Sequence, residues 1–230
     1  MNEFESIMAE VVRRKKEVLP VKVLSKKEIT PGVFYLEVEK KSKFKAGQVI
    51  AAAINPDDDL RLYSIASGED KPFIRILFDI NPQGQLTPPM SKLEKGDTLY
   101  ISAPFGRFTS SPEDSWWIAT GTGIAPFISM TESGQYSNRT LLHGARFLNQ
   151  FYFSDLFKDK MGNNYMRFCT AENSEEVTSG RLTSYIKQSN NILPERKYYL
   201  CGNSNMVVEV RDLLLNKGVP FDNIIAEIYF

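Results

Sequence analysis

Arg61-Leu62-Tyr63-Ser64 sets a cation, an aromatic ring and a hydroxyl close together in a stretch with strand character. In an extended chain alternate side chains share a face, so Arg61 and Tyr63 point one way and Leu62 and Ser64 the other. A guanidinium fork suits a diphosphate, a phenol ring is a platform for a flat heteroaromatic such as isoalloxazine, and a hydroxyl can bond the edge of such a ring. Alone, the same residues also describe the ordinary surface of a barrel strand.

Four other stretches supply context. Gly84-Gln85-Leu86-Thr87 leads into a short helical pattern, with Thr87 the expected N-cap and Pro88 the first helical residue. Free N–H groups there would face an anion. Gly121-Thr122-Gly123-Ile124-Ala125-Pro126 follows an apolar strand pattern, and its glycines allow close backbone approach to a diphosphate or a nicotinamide. It ends in Pro where the dinucleotide fingerprint has Gly, so that fingerprint does not apply. Cys201-Gly202-Asn203 with Met206 repeats the strand-to-helix arrangement, and Glu227-Ile228-Tyr229-Phe230 closes the chain.

The elements that must position these residues fall into two rhythms. Val18–Ser25, Val33–Glu39, Gln48–Ile54, Leu60–Ala66, Phe73–Asp79 and Thr98–Ser102 are short β-branched and aromatic runs separated by turn residues, which predicts a six-stranded antiparallel β-barrel over residues 18–111. From residue 112 to 230 strands and helices alternate: strands near Ser115–Ala119, Thr140–Gly144, Tyr165–Thr170, Lys197–Cys201 and Ile224–Ile228, helices from Pro126, Phe151, Leu182 and Met206. That predicts an α/β domain on a five-stranded parallel sheet, with ligands at the carboxyl ends of its strands. Residues 1–17 read as an amphipathic helix (Phe4, Ile7, Met8, Val11, Val12), and the polar run Ser110 to Asp114 as the domain boundary.

Composition narrows the function classes. Lys plus Arg and Asp plus Glu balance at 28 each over 230 residues, which gives no global argument for nucleic acid. Between Arg13 and Lys45, however, eleven basic residues face four acidic ones, a patch able to steer an acidic partner. Cys169 and Cys201 are too few for an iron–sulfur cluster or a tetrahedral zinc site, and Asp57-Asp58-Asp59 reads as a solvated loop; no metal is expected. No apolar run approaches a membrane span, and there is no signal-peptide core. The expectation is a cytoplasmic monomer with reduced thiols.

In this order and spacing, the five stretches resemble the ferredoxin/flavodoxin–NADP reductase family, bacterial type, over nearly the whole chain after Val18. The resemblance implies FAD held by Arg61, Leu62, Tyr63, Ser64, Gly84, Leu86 and Thr87, with Phe230 as a further contact. It implies NADP held by Gly121, Thr122, Gly123, Pro126, Arg146, Arg181, Gly202, Asn203 and Met206. Ser64, Cys201, Glu227 and Tyr229 would surround hydride transfer, Tyr229 covering one flavin face. Ferredoxin or flavodoxin would take or supply single electrons. Two departures stand out: Phe230 extends past the usual Glu-x-Tyr ending, and Thr170-Ala171-Glu172 replaces an expected Ser-Arg-Glu, which removes one cation and leaves Glu172 near a 2′-phosphate. NADPH is favoured over NADH because Arg146 and Arg181 remain. His143 is expected to be structural. The alternatives are a free-flavin reductase, an oxygenase's reductase component, or a non-catalytic flavin- or nucleotide-binding regulator.

Overall fold

The computed structural model describes residues 16–229, the last two by backbone alone. The amphipathic pattern of residues 3–15 lies outside that range. Strands β1 (Val18–Thr30), β2 (Val33–Glu39), β3 (Val49–Ala53), β4 (Arg61–Ser64), β5 (Phe73–Asp79) and β6 (Thr98–Ser102) form an antiparallel sheet in the order β4-β3-β6-β1-β2-β5. A bridge from Ile65 to Ile76 joins its two ends and closes the barrel. Val21, Val23, Leu36, Val38, Ile50, Ile74, Ile76 and Leu99 fill the interior. Lys22, between two buried valines, faces water, the alternation expected of a strand with one wet face.

β1 runs five residues past its expected end at Ser25, to Thr30. Its polar extension Lys26-Lys27-Glu28 carries no hydrophobic alternation; pairing with Leu36, Tyr35 and Phe34 of β2 holds it in the sheet. Helix α1 (Thr87–Met90) is a single turn that drops Leu86 and Met90 into the barrel core. Thr87 is not its N-cap. That position is Leu86, and the Thr87 hydroxyl turns back to accept from the Asn81 N–H at 2.8 Å. The loop before the helix outcompetes the cap because it offers the hydroxyl a backbone donor.

The second half contains β7 (Ser115–Thr120), β8 (Arg139–Ala145), β9 (Tyr165–Cys169), β10 (Thr178–Ser179), β11 (Lys197–Asn203) and β12 (Ile224–Tyr229), all parallel, ordered β10-β9-β8-β7-β11-β12. The sheet therefore has six strands where five are expected. The extra strand, β10, pairs two polar residues with Phe168 and Cys169, too short to leave any periodic signal. Helices α2 (Ala125–Glu132), α3 (Ser154–Met161), α4 (Leu182–Gln188) and α5 (Ser204–Asn216) cover its two faces. Consecutive residues on β7 show the division: Trp117 packs with Phe127 and Phe157 on one face, Trp116 with Ile186, Val210 and Leu214 on the other. The order reverses between β7 and β11, which opens a crevice at their carboxyl ends. No helix among the described residues is long and apolar enough to cross a membrane.

The halves share a core. Val33, Ala46, Ala66, Leu77 and Phe108 of the barrel side join the cluster of Trp117, Phe127 and Ile128. At its rim Arg75 of β5 donates to Glu37 at 2.9 Å and to Glu132 of α2 at 2.7 Å, and the other Glu132 oxygen accepts from the Gly68 N–H at 2.9 Å. The Ser129 hydroxyl of α2 donates to the Ser67 carbonyl at 2.7 Å. Arg75, Gly68 and Ser67 on the barrel side thus have partners on α2, and these directional bonds fix an orientation for the apolar contact beneath.

Candidate active site

β4 hydrogen-bonds to β3 in a register that sets Tyr63 opposite Ile50 and Ser64 opposite Val49. Tyr63 is half-buried and packs on the barrel core, and that burial, with Asp79 nearby, drives its phenol pKa upward so that the ring stays neutral. Arg61 and Leu62 are exposed, and Arg61 makes no salt bridge among the described residues, leaving its donors available to an anion. Ser64 is buried at 2% exposure. Gly84 closes a turn onto the Asn81 carbonyl at 2.9 Å beside α1. The Leu86 side chain belongs to the barrel core, so only its backbone can face a ligand.

At the crevice, Gly121–Ile124 forms a 3₁₀ turn running directly into α2, where Pro126 is a buried second residue. Thr122 lies half-exposed in that turn. Gly123 packs on the backbone of Cys201 and Gly202, and a Cβ on it would collide with the Cys201 carbonyl oxygen. Gly202 has φ +137°, and a Cβ there would stand 2.5 Å from Thr120 Oγ1. Two strand ends are thus drawn together by the absence of side chains, and the Thr120 hydroxyl ties them by accepting from the Asn203 N–H at 3.2 Å. Asn203 in turn caps α5, accepting from the Asn205 N–H at 3.0 Å; α5 starts two residues before the expected Met206 because of this cap.

Beside the crevice is a cavity of about 430 Å³ lined by Gly121, Arg146, Thr170, Arg181, Asn203 and Met206, among others. Residues far apart in the chain, Arg146 and Arg181 among them, thus line one cavity. Arg181 Nη2 donates to Glu209 of α5 at 2.9 Å. Glu172 does not face this cavity. Its carboxylate accepts from the Leu148 N–H at 2.6 Å and lines a separate cleft of about 490 Å³ against Thr30 and Pro31.

At the carboxyl end of β12 the halves meet through a further hydrogen bond: Ser64 Oγ of β4 donates to Glu227 Oε2 at 2.9 Å. Glu227 lies beside buried Cys201 in the β11–β12 register. Burial pushes its pKa up to about 7, the Ser64 hydroxyl pulling weakly the other way. Tyr229 pairs by backbone with Asn203; its side chain and Phe230 lie outside the described residues.

His143 lies inside β8 and is fully buried, with Nδ1 3.0 Å from Tyr165 OH. Burial, then Arg167, pushes its pKa down to about 3, so it stays neutral and serves structure. Sequence reasoning overlooked Thr120 and Glu209. Thr120 sits directly before Gly121 and could have been suspected; Glu209 carries no local signal.

These features fit the two cofactors they suggest. Arg61 and Tyr63 give an exposed cation and a neutral aromatic on one strand, and the cradle at Gly123 and Gly202 leaves space that side chains would otherwise fill.

Comparison with known proteins agrees. Residues 20–110 match the oxidoreductase FAD-binding domain and residues 117–212 the oxidoreductase NAD-binding domain. The flavodoxin/ferredoxin–NADP reductase of Escherichia coli is 29% identical over 189 residues, covering 71% of this chain and 76% of that one. Ferredoxin–NADP reductase B of Sorangium cellulosum is 28% identical, covering 93% and 98%. A ferredoxin NADP+ reductase from Neisseria gonorrhoeae, solved with bound FAD and NADP, superposes with a TM-score of 0.84 at 22% identity over 93% of this chain and 99% of that one. With an FAD-binding barrel followed by an NAD-binding α/β domain, the chain belongs to the FAD-dependent oxidoreductases of the ferredoxin/flavodoxin–NADP reductase type.

Proposed function

We propose that this protein moves reducing equivalents between NADPH and a one-electron carrier, ferredoxin or flavodoxin, through FAD held between its two domains. The observation that carries the reading is the Ser64–Glu227 hydrogen bond, because it sets the strand bearing Arg61 and Tyr63 against the strand beside the Gly123–Gly202 cradle. We place the domain boundary at residues 110–114, a linker that Arg139 holds by donating to the Ser111 and Glu113 carbonyls.

FAD, when bound, supplies the ring that exchanges a hydride with the pyridine nucleotide and passes electrons singly. The chain's own residues bind and orient. Arg61 pairs with the diphosphate and Tyr63 offers its ring face to the flavin, while the backbone at Gly84 and Thr87 borders the diphosphate. Gly121 to Gly123 and Cys201 to Asn203 shape the nicotinamide pocket, and Arg146 and Arg181 meet the 2′-phosphate. The Glu227 carboxyl holds a proton over part of the neutral pH range, while its Oε2 accepts from Ser64 Oγ.

The phenol hydroxylase P5 protein of Acinetobacter pittii, 27% identical over 205 residues, supports a second reading as the reductase of an oxygenase. This chain spans 58% of that protein's length. Anaerobic titration of the purified flavoprotein with NADPH, and separately NADH, tests both cofactors: bleaching of the flavin by NADPH at lower concentration than by NADH is expected. A colourless protein that takes up no flavin refutes the reading. Arg181→Ala should raise KM for NADPH roughly tenfold, the equivalent of one charge-assisted hydrogen bond, and leave KM for NADH unchanged. Steady-state kinetics with both nucleotides checks this.

A further inference from the structure

Two cations at one cavity would ordinarily make a strong preference for a 2′-phosphate, yet one of them already has an acidic partner. The Arg181 guanidinium donates to Glu209 Oε2 at 2.9 Å, and among the described residues it has no other hydrogen-bonded side chain. Arg181 directly precedes α4, and Glu209 rises from the second turn of α5, so the pair spans two helices that pack on the same sheet face. The third cation expected in this region is replaced by Ala171. Glu172, the other acid nearby in sequence, is committed to the Leu148 N–H and to the other cleft. Glu209 is therefore the acid paired with one of the cavity's two arginines, Arg181.

We infer that Glu209 acts through Arg181 as a selectivity brake: it competes with the nucleotide's 2′-phosphate for the guanidinium, repels the dianion, and keeps the discrimination between NADPH and NADH small. This rests on the reading that the 2′-phosphate sits between Arg146 and Arg181. The pair is exposed, 61% at Arg181 and 42% at Glu209, so water screens it and a phosphate can displace the carboxylate. The brake is consequently graded, and it acts on affinity rather than on the chemical step. Glu209 is a positioning residue; it is not part of the Ser64–Glu227 pair, beside which the proposed function places hydride transfer.

The test compares Glu209→Gln, Glu209→Asp and Arg181→Ala in the flavin-loaded protein. In Glu209→Gln the KM for NADPH should fall about two- to fivefold, the range of an exposed ion pair, with kcat and the KM for NADH unchanged. Glu209→Asp keeps the charge and should stay close to the parent, which separates charge from packing. Calorimetric binding of 2′-phospho-AMP against AMP gives a readout independent of turnover: Glu209→Gln should tighten the first and not the second. A Glu209→Gln protein with unchanged NADPH preference, or with preference shifted towards NADH, overturns the brake. If Arg181→Ala nevertheless loses NADPH preference, the phosphate site survives without the brake. If Arg181→Ala changes nothing, both fall together.

Discussion

Glu227→Gln is expected to lower kcat for NADPH oxidation at pH 7 by roughly 100-fold, the lower end of what a positioned proton-transfer group contributes. Gln keeps the shape and still accepts from Ser64, but it cannot hold or release a proton, so the loss reports the titrating carboxyl. In the parent protein kcat should decline as pH rises through about 7, where Glu227 gives up its proton. That midpoint should vanish in the variant. Stability falls over the same range. The folded-state pKa, about 7, is raised from an ordinary 4.5, so between these values the folded protein binds the proton that the unfolded chain has released. Stability attributable to Glu227 is thus present below about 4.5 and lost as pH climbs through 7. A neutral amide has no such loss, and the Tm of Glu227→Gln should match the parent near pH 4.5 and exceed it at pH 8. An inactive protein that is more stable at pH 8 rules out misfolding as the cause. Unchanged kcat with the pH midpoint retained would remove Glu227 from the mechanism.

Gly123→Ala should cost about 3 kcal/mol, the upper range for overpacking, or roughly 6–12 °C in Tm for a chain of this size. The added methyl meets the Cys201 carbonyl oxygen and Gly202 Cα, which are backbone and cannot rotate away. Relief requires β7 and β11 to separate at their carboxyl ends, where Asn203 is tied to Thr120. Pyridine-nucleotide affinity should fall with stability, while FAD content, which depends on β4 in the barrel, should hold. Thermal melts and flavin-to-protein absorbance ratios measure the two separately. A Tm within 2 °C of the parent and an unchanged KM for NADPH would mean that the crevice tolerates the side chain, and that the close approach has no functional purpose.

Much of the architecture was legible because local patterns repeat along the chain. β2, β5 and β6 have the bounds their β-branched runs suggest, since burial alternates on a short strand. β10 was not legible, because two polar residues gain strand geometry only from the neighbour they pair with. Nor was the tail of β1, whose polar residues are held by pairing with β2. Thr87 shows the same limit at a single side chain: the motif predicts a cap, and a nearby loop donor decides otherwise.

Residue types and their order along the chain determined that a cation, an aromatic, two glycine-containing strand ends and a late carboxylate would all be present. Only the tertiary structure decided which of them touch. Ser64 reaches Glu227 across 163 positions, Arg181 is met by Glu209 instead of standing free, and Glu172 is turned into a different cleft. A hydrogen bond depends on distances of a few ångströms, and between segments remote in the chain those distances are set by how the two sheets pack across their shared core.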